Sequence, residues 1–249
     1  MSNFSEIIID GLSCKVDFSK PLDISFPIKE GNATAWYVPP VRFEPVKMEG
    51  FIGDVSLGGA VNFRNIFFNP HGHGTHTECV GHISKEFYSL NNCLTSFFFI
   101  AQLITVIPEQ RENDDLVITI RQFKDKIDKN ASAIIIRTVP NNEEKITKQY
   151  SNTNPPYIDE NAILYLNSCG IKHLLIDTPS VDKELDGGLL KAHKAFWNYP
   201  TKPELDKTIT ELIYAPNNIL DGSYLLNLMI ASFENDASPS KPILYKIIV

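Results

Sequence analysis

The run Pro70-His71-Gly72-His73-Gly74-Thr75-His76-Thr77-Glu78-Cys79-Val80-Gly81-His82 holds four of the six histidines in a chain of 249 residues. Imidazoles and carboxylates are the side chains that hold zinc, manganese or iron. A metal centre needs several of them within roughly 2.0–2.2 Å of one point. Asn69-Pro70 signals a turn ahead of the run, and Gly72 and Gly74 let the backbone bend so that neighbouring imidazoles converge. His76 and Glu78 are two apart, so an extended strand puts both on one face and points Cys79 away from them. His82 lies further along and reaches the same point from another direction. A surface loop accounts for one exposed histidine, not for this density.

Outward from that run, the chain reads as an ordinary folded protein. Hydrophobic residues make up 43%, enough for a sizeable core. A formal net charge of −7 and the absence of a clustered basic face argue against a nucleic-acid partner. The most basic stretch, Lys124 to Lys129, is interleaved with two aspartates and reads as a solvated face. Met1 to Asp10 lacks the charged and apolar regions of a signal peptide, and Leu94 to Pro108 is too short and too interrupted to cross a bilayer. The expectation is a cytoplasmic protein without a membrane partner. Cys14, Cys79, Cys93 and Cys169 are far apart with no C-x-x-C pair, so neither a disulfide scaffold nor a zinc ribbon is expected.

Apolar runs predict strands at Phe97–Ile107, Leu116–Ile120, Ala133–Val139, His173–Asp177, Ile209–Ala215, Tyr224–Phe233 and Ile243–Val249. Most are continuous rather than alternating, as in strands covered on both faces. Helical spacing predicts helices over Ile158–Cys169 and Leu189–Trp197. No repeat or linker divides the chain, so residues 1–249 are read as one strand-dominated α/β domain.

The histidine run resembles the signature of the cyclase-like metal hydrolases, a family that includes bacterial kynurenine formamidase (arylformamidase) and isatin hydrolase. That signature is Pro-His, a short spacer, then Gly-Thr-His-x-Asp-x-Pro-x-His. Further segments are similar to the family's. Val16-Asp17-Phe18-Ser19-Lys20-Pro21-Leu22 resembles its opening strand, and Leu175-Ile176-Asp177-Thr178-Pro179-Ser180-Val181-Asp182 its segment before a late histidine. Ile209-Thr210-Glu211-Leu212 with Asn217-Asn218-Ile219 resembles its closing run. This chain has four residues between His71 and His76 where the family has three, so either His71 or His73 takes the first place. Glu78 stands for the family's aspartate and Val80 for its proline.

The resemblance implies a single cyclase-like domain of the swivelling β/β/α type. It implies one or two divalent ions, zinc or manganese, held by His71, His76, Glu78, His193 and Glu211. His82 is then the catalytic acid and base, and Trp36 contacts a small-molecule substrate. Asp177 and Asp182 hold loops or orient ligands, and His173 reads as structural. The implied reaction is hydrolysis of an amide carbon–nitrogen bond, in an N-formyl aryl amine or a cyclic amide. Lactone opening or cyclisation on the same scaffold, or a metal-holding protein without catalysis, are the rival readings. A homodimer or larger homo-oligomer is implied as well. The loops around Trp36 and Asn62 to Phe68 are the expected pocket walls.

Overall fold

The continuous apolar run Ala133-Ile-Ile-Ile136 explains the architecture, because a strand buried along its whole length must be covered on both faces. A computed structural model describes residues 4–9 and 11–248. Met1 to Asn3, Asp10 and Val249, which belong to the amino-terminal reading and to the last expected strand, lie outside the described residues. Seven strands build the centre: β1 (His76–Glu78), β2 (Phe98–Val106), β3 (Ala133–Thr138), β4 (His173–Ile176), β5 (Thr208–Glu211), β6 (Gly222–Ile230) and β7 (Ala237–Ile248). In space they run β1-β5-β4-β3-β2-β6-β7, and β7 pairs back onto β1, so the sheet closes into a barrel. The strands β2, β3, β4 and β5 are parallel, and the other pairings are antiparallel.

Closure gives the two faces different partners. Leu103, Ile135 and Leu175 are neighbours in register and, with Leu226, Leu228 and Leu244, fill the barrel. Ile104, Ile136 and Ile176, with Leu174 and Ile209, face outward. They pack against helices α1 (Glu160–Ser168) and α2 (Lys191–Trp197), which bury Ile163, Leu166, Phe196 and Trp197. Each such side chain contributes about 1.5–3 kcal/mol on burial. Asp159 caps α1, its carboxylate accepting the Asn161 N–H.

Several expectations are corrected. The strand expected over Leu116–Ile120 ends at Ile118, where a 3-10 turn begins at Ile120, and it pairs with Glu109–Gln110 and Tyr157–Ile158 in a small separate sheet. The strand expected over Ile209–Ala215 stops at Glu211, because Leu212 takes a left-handed conformation at φ 53°. An amino-terminal hairpin, Ser5–Ile9 with Leu12–Val16, is attached through β7 and was not expected from the sequence. Residues 42–67 form two antiparallel ribbons, Arg42–Pro45 with Arg64–Phe67 and Lys47–Met48 with Phe51–Ile52, outside the barrel sheet. The strand-dominated α/β class is the one the structure shows.

Candidate metal centre

Strand β1 is three residues long, yet it is buried between β5 and β7. Glu78 lies beside Ile209 and His76 beside Glu211, so His76, Glu78 and Glu211 share the outward face on which α2 packs. Thr77 points the other way and bonds Thr210 at 2.7 Å, and Cys79 joins the barrel interior. The Cβ that an alanine would carry at position 81 would sit 2.3 Å from the Tyr88 carbonyl oxygen. Glycine there lets the chain turn, and His82 returns toward the cluster.

Glu78 is the centre. Its Oε1 accepts from His193 Nε2 at 3.1 Å, and its Oε2 lies 3.0 Å from His71 Nδ1 and 3.8 Å from His82 Nδ1. Glu211 reaches in from β5, its Oε2 3.4 Å from His76 Nε2 and its Oε1 3.9 Å from His193 Nε2. The Val181 N–H donates to the same Oε1 and holds it. Ligand atoms of His71, His76 and Glu78 lie within 4.8 Å of one another, as do those of Glu78, His82 and His193. Both His76 Nε2 and Glu78 Oε2 are buried without a hydrogen bond. Each faces a charged group, Glu211 Oε2 and His71 Nδ1 respectively. A buried polar atom left without a hydrogen bond costs about 1–3 kcal/mol, and a divalent cation would satisfy this donor set.

The two candidates for the first histidine separate. The His73 Nδ1 accepts the Asn69 N–H at 2.9 Å, and its Nε2 lies 3.0 Å from the Pro39 carbonyl oxygen. Both of its ring nitrogens are engaged away from Glu78, whereas His71 lies against it. Asp236, just before β7, has no counterpart in the sequence reading. Its Oδ2 is 2.8 Å from His71 Nε2 and 3.5 Å from His82 Nδ1. Only the pairing of β7 with β1 brings it there, and no spacing within the chain signals it. Asp182 accepts from His193 Nδ1 at 2.6 Å and so orients the ring. Asp177 does not orient a histidine. It accepts from the Thr138 N–H and hydroxyl and from Lys145, holding two loops together.

Charge is concentrated here. Burial opposes protonation of His71, but the Asp236 and Glu78 carboxylates outweigh it and lift the group to about 10. Burial likewise opposes protonation of His193, and Asp182, Glu78 and Glu211 lift it to about 10. Burial alone would raise the carboxyls of Glu78 and Asp236. The imidazoles of His82, His193 and His71 hold Glu78 well below the usual carboxylate range, and His71 and His82 do so for Asp236. A cation entering such a network displaces protons from its ligands.

A cavity of about 400 Å³ opens onto this cluster. Its walls include Trp36, Val38, Asn69, His71, His82 and Leu190, with the turn from Ser180 to Asp186. Trp36 lies where the sequence expects a pocket wall. The segment Asn62 to Phe68 does not line it, because Arg64–Phe67 pairs into the outer ribbon instead. Trp36 and Tyr37 both hold positive φ, 59° and 57°. The Ser151 hydroxyl oxygen, which accepts the Tyr37 N–H, helps fix that bend.

No curated protein matches this chain. Its fold is shared with solved structures. A predicted metal-dependent hydrolase from Bacillus stearothermophilus aligns at a TM-score of 0.64 and 18% identity, covering 91% of this chain and 98% of that one. An isatin hydrolase bound to the product analogue thioisatinate aligns at 0.65 and 16%, covering 92% and 93%. Isatin hydrolase A from Ralstonia solanacearum aligns at 0.66 and 13%, covering 91% of each chain. The sequence profile of the Cyclase family matches residues 22–183, a span that contains the histidine run, Trp36 and Asp182, and the chain belongs to that family.

Proposed function

We propose that this chain is a metal-dependent amidohydrolase that opens the carbon–nitrogen bond of a small N-formyl aryl amine or cyclic amide with water. The observation that carries this reading is the pair His76 Nε2 and Glu78 Oε2, buried and unbonded beside His71. In this assignment His71, His76, Glu78, His193 and Glu211 would together hold one or two ions. The donor set suits one or two ions of zinc or manganese. A bound ion supplies Lewis acidity and brings a water molecule's pKa near neutrality.

The chain's own residues do the rest. Asp182 accepts the Nδ1 proton of His193, which leaves Nε2 as the ligand atom. His82, about one-third exposed and lining the cavity, carries a proton from the attacking water to the leaving nitrogen. Trp36 gives the aryl group a flat apolar wall. The isatin hydrolases that share the fold are named for a cyclic amide, which supports ring or formyl amide hydrolysis as the reaction class.

The proposal extends to a cytoplasmic homodimer or larger homo-oligomer. No described helix is long and apolar enough to cross a membrane. The ribbons of residues 42–67 and the turn between them expose Met48, Val55, Leu57, Val61, Phe63 and Ile66, each more than half exposed. A second copy of this chain would cover them.

Elemental analysis tests the core of the reading, on protein purified without tag or chelator. Wild type should hold one to two ions of zinc or manganese per chain, and a Glu78→Ala/Glu211→Ala double variant should hold none. Wild type that stays empty after reconstitution with either metal overturns the proposal.

A further inference from the structure

The cavity over the histidines has an uneven distribution of charge along its wall. Beyond the proposed metal donors, its charged lining is Asp182, Lys183, Glu184 and Asp186. Asp182 is engaged by His193. Lys183 is neutralised from outside the cavity, its Nζ 2.8 Å from both carboxylate oxygens of Asp115. Glu184 and Asp186 have no cation among the described residues.

What these two carboxylates have instead is a set of neutral donors. Glu184 Oε1 accepts from the Asn152 N–H at 2.5 Å and the Tyr37 hydroxyl at 3.0 Å, and its Oε2 accepts from the Asn154 N–H at 3.1 Å. Asp186 accepts from the Gly188 N–H at 2.7 Å and the Leu190 N–H at 2.6 Å. Neutral donors fix a carboxylate in place without cancelling its charge. Nor does the metal centre offer a surplus of positive charge. Glu78 and Glu211, with Asp236 and Asp182 against the histidines, bring four negative charges to one or two divalent ions, so the centre carries no net positive charge.

We infer that Glu184 and Asp186 select against anionic substrates, so that this site takes aryl amides whose non-reacting part is neutral or cationic rather than one bearing a carboxylate. The inference rests on the hydrolase reading for its reaction, but the binding preference follows from the pocket alone. Glu184 is a positioning residue as well, because it ties the Tyr37 bend and the 152–154 loop to the turn that leads into α2. Its charge and its ties are separable, since only the charge responds to salt.

The experiment is calorimetric binding to the metal-loaded protein, comparing 4-formamidobenzamide with its near-isostere 4-formamidobenzoate. At 50 mM salt the amide should bind about tenfold more tightly, and the gap should shrink at 500 mM. Glu184→Gln should raise affinity for the benzoate more than for the benzamide, narrowing the gap at low salt to about threefold. Equal or tighter binding of the benzoate by wild type at low salt overturns the inference. So does a gap that ignores both salt and Glu184→Gln. Turnover is read separately. A binding preference without hydrolysis upholds the inference and counts against the hydrolase reading, and hydrolysis with a preference for the benzoate does the reverse.

Discussion

One carboxylate of Asp182 serves both the orientation of His193 and the start of its helix. It accepts from His193 Nδ1 at 2.6 Å and from the backbone N–H groups of Ala192 and His193 at 2.7 and 3.1 Å. Burial works against this charge, and His193 outweighs it, so the Asp182 carboxyl lies below its ordinary range. Asp182→Asn puts an amide donor against Nδ1, which favours the tautomer with its proton on Nε2. The expected result is a 10–100-fold loss of metal affinity with the fold retained. Chelator competition alongside circular dichroism measures both, and an affinity within twofold of wild type would refute the assignment.

Much of this was legible in the residues. The helices expected over Ile158–Cys169 and Leu189–Trp197 form at Glu160–Ser168 and Lys191–Trp197, and the strands around Ala133 and His173 follow from apolar runs that only a doubly covered strand needs. His71, His76, Glu78 and His82 lie close in sequence, so local geometry sufficed to group them. What was not legible depends on pairings between distant segments. Asp236 reaches the cluster because Ala237 pairs with Glu78, and no local pattern encodes that register. The ribbon strands of residues 42–67 carry exposed apolar side chains, so burial patterning gave no signal for them. Glu211 followed from the resemblance and from the cost of a lone buried carboxylate, not from any spacing to the histidines.

His82→Ala should keep the metal and lose turnover by about 10²–10⁴-fold, the usual worth of a placed acid and base. The side chain stands at the edge of the cluster, about one-third exposed, while the proposed ligands on β1 are buried. Single-turnover rates and metal content are the paired measurements. Loss of metal with retained activity would remove the role assigned to it.

Gly81→Ala tests the close approach of two backbone segments. The added Cβ would meet the Tyr88 carbonyl oxygen at 2.3 Å, and carbonyl oxygens do not swing aside as side-chain ends do. The segment must shift, carrying His82 with it. A destabilisation of about 2–4 kcal/mol is expected in urea unfolding, against a fraction of that for Gly170→Ala. Gly170 has open space around it and only its φ of 84° to strain. Equal losses at the two positions would show that the Tyr88 contact is relieved without cost.

Phe63→Asp with Ile66→Asp addresses the assembly. Both side chains are more than half exposed, Ile66 on the outer ribbon and Phe63 just before it, so the substitutions should leave the stability of a single chain nearly unchanged. They should shift the mass seen by analytical ultracentrifugation from dimer or larger toward monomer. A wild type that is monomeric at micromolar concentration would end the oligomer proposal.

His173 makes folding sensitive to acid independently of the metal. It is 4% exposed, its Nδ1 pairs with the Thr208 hydroxyl at 2.9 Å, and its ring lies 3.8 Å from that of Phe99. It borders a cavity of about 450 Å³ at the starts of β2 to β5, the barrel end away from the histidine cluster. Burial pushes the group down to about 3, with Asp206 opposing and Lys172 assisting. An unfolded chain takes up this proton near pH 6.5, and the folded chain does so only near 3. Between those values the unfolded state binds more protons, so the contribution is complete above about pH 6.5 and declines as pH falls toward 3. The slope approaches about 1.4 kcal/mol per pH unit once the unfolded imidazole is protonated. Urea unfolding between pH 7 and 4 should show wild type losing stability more steeply than His173→Gln, by about 1 kcal/mol per unit below pH 6. Parallel profiles would mean that His173 binds its proton equally in both states, and the burial argument would fail.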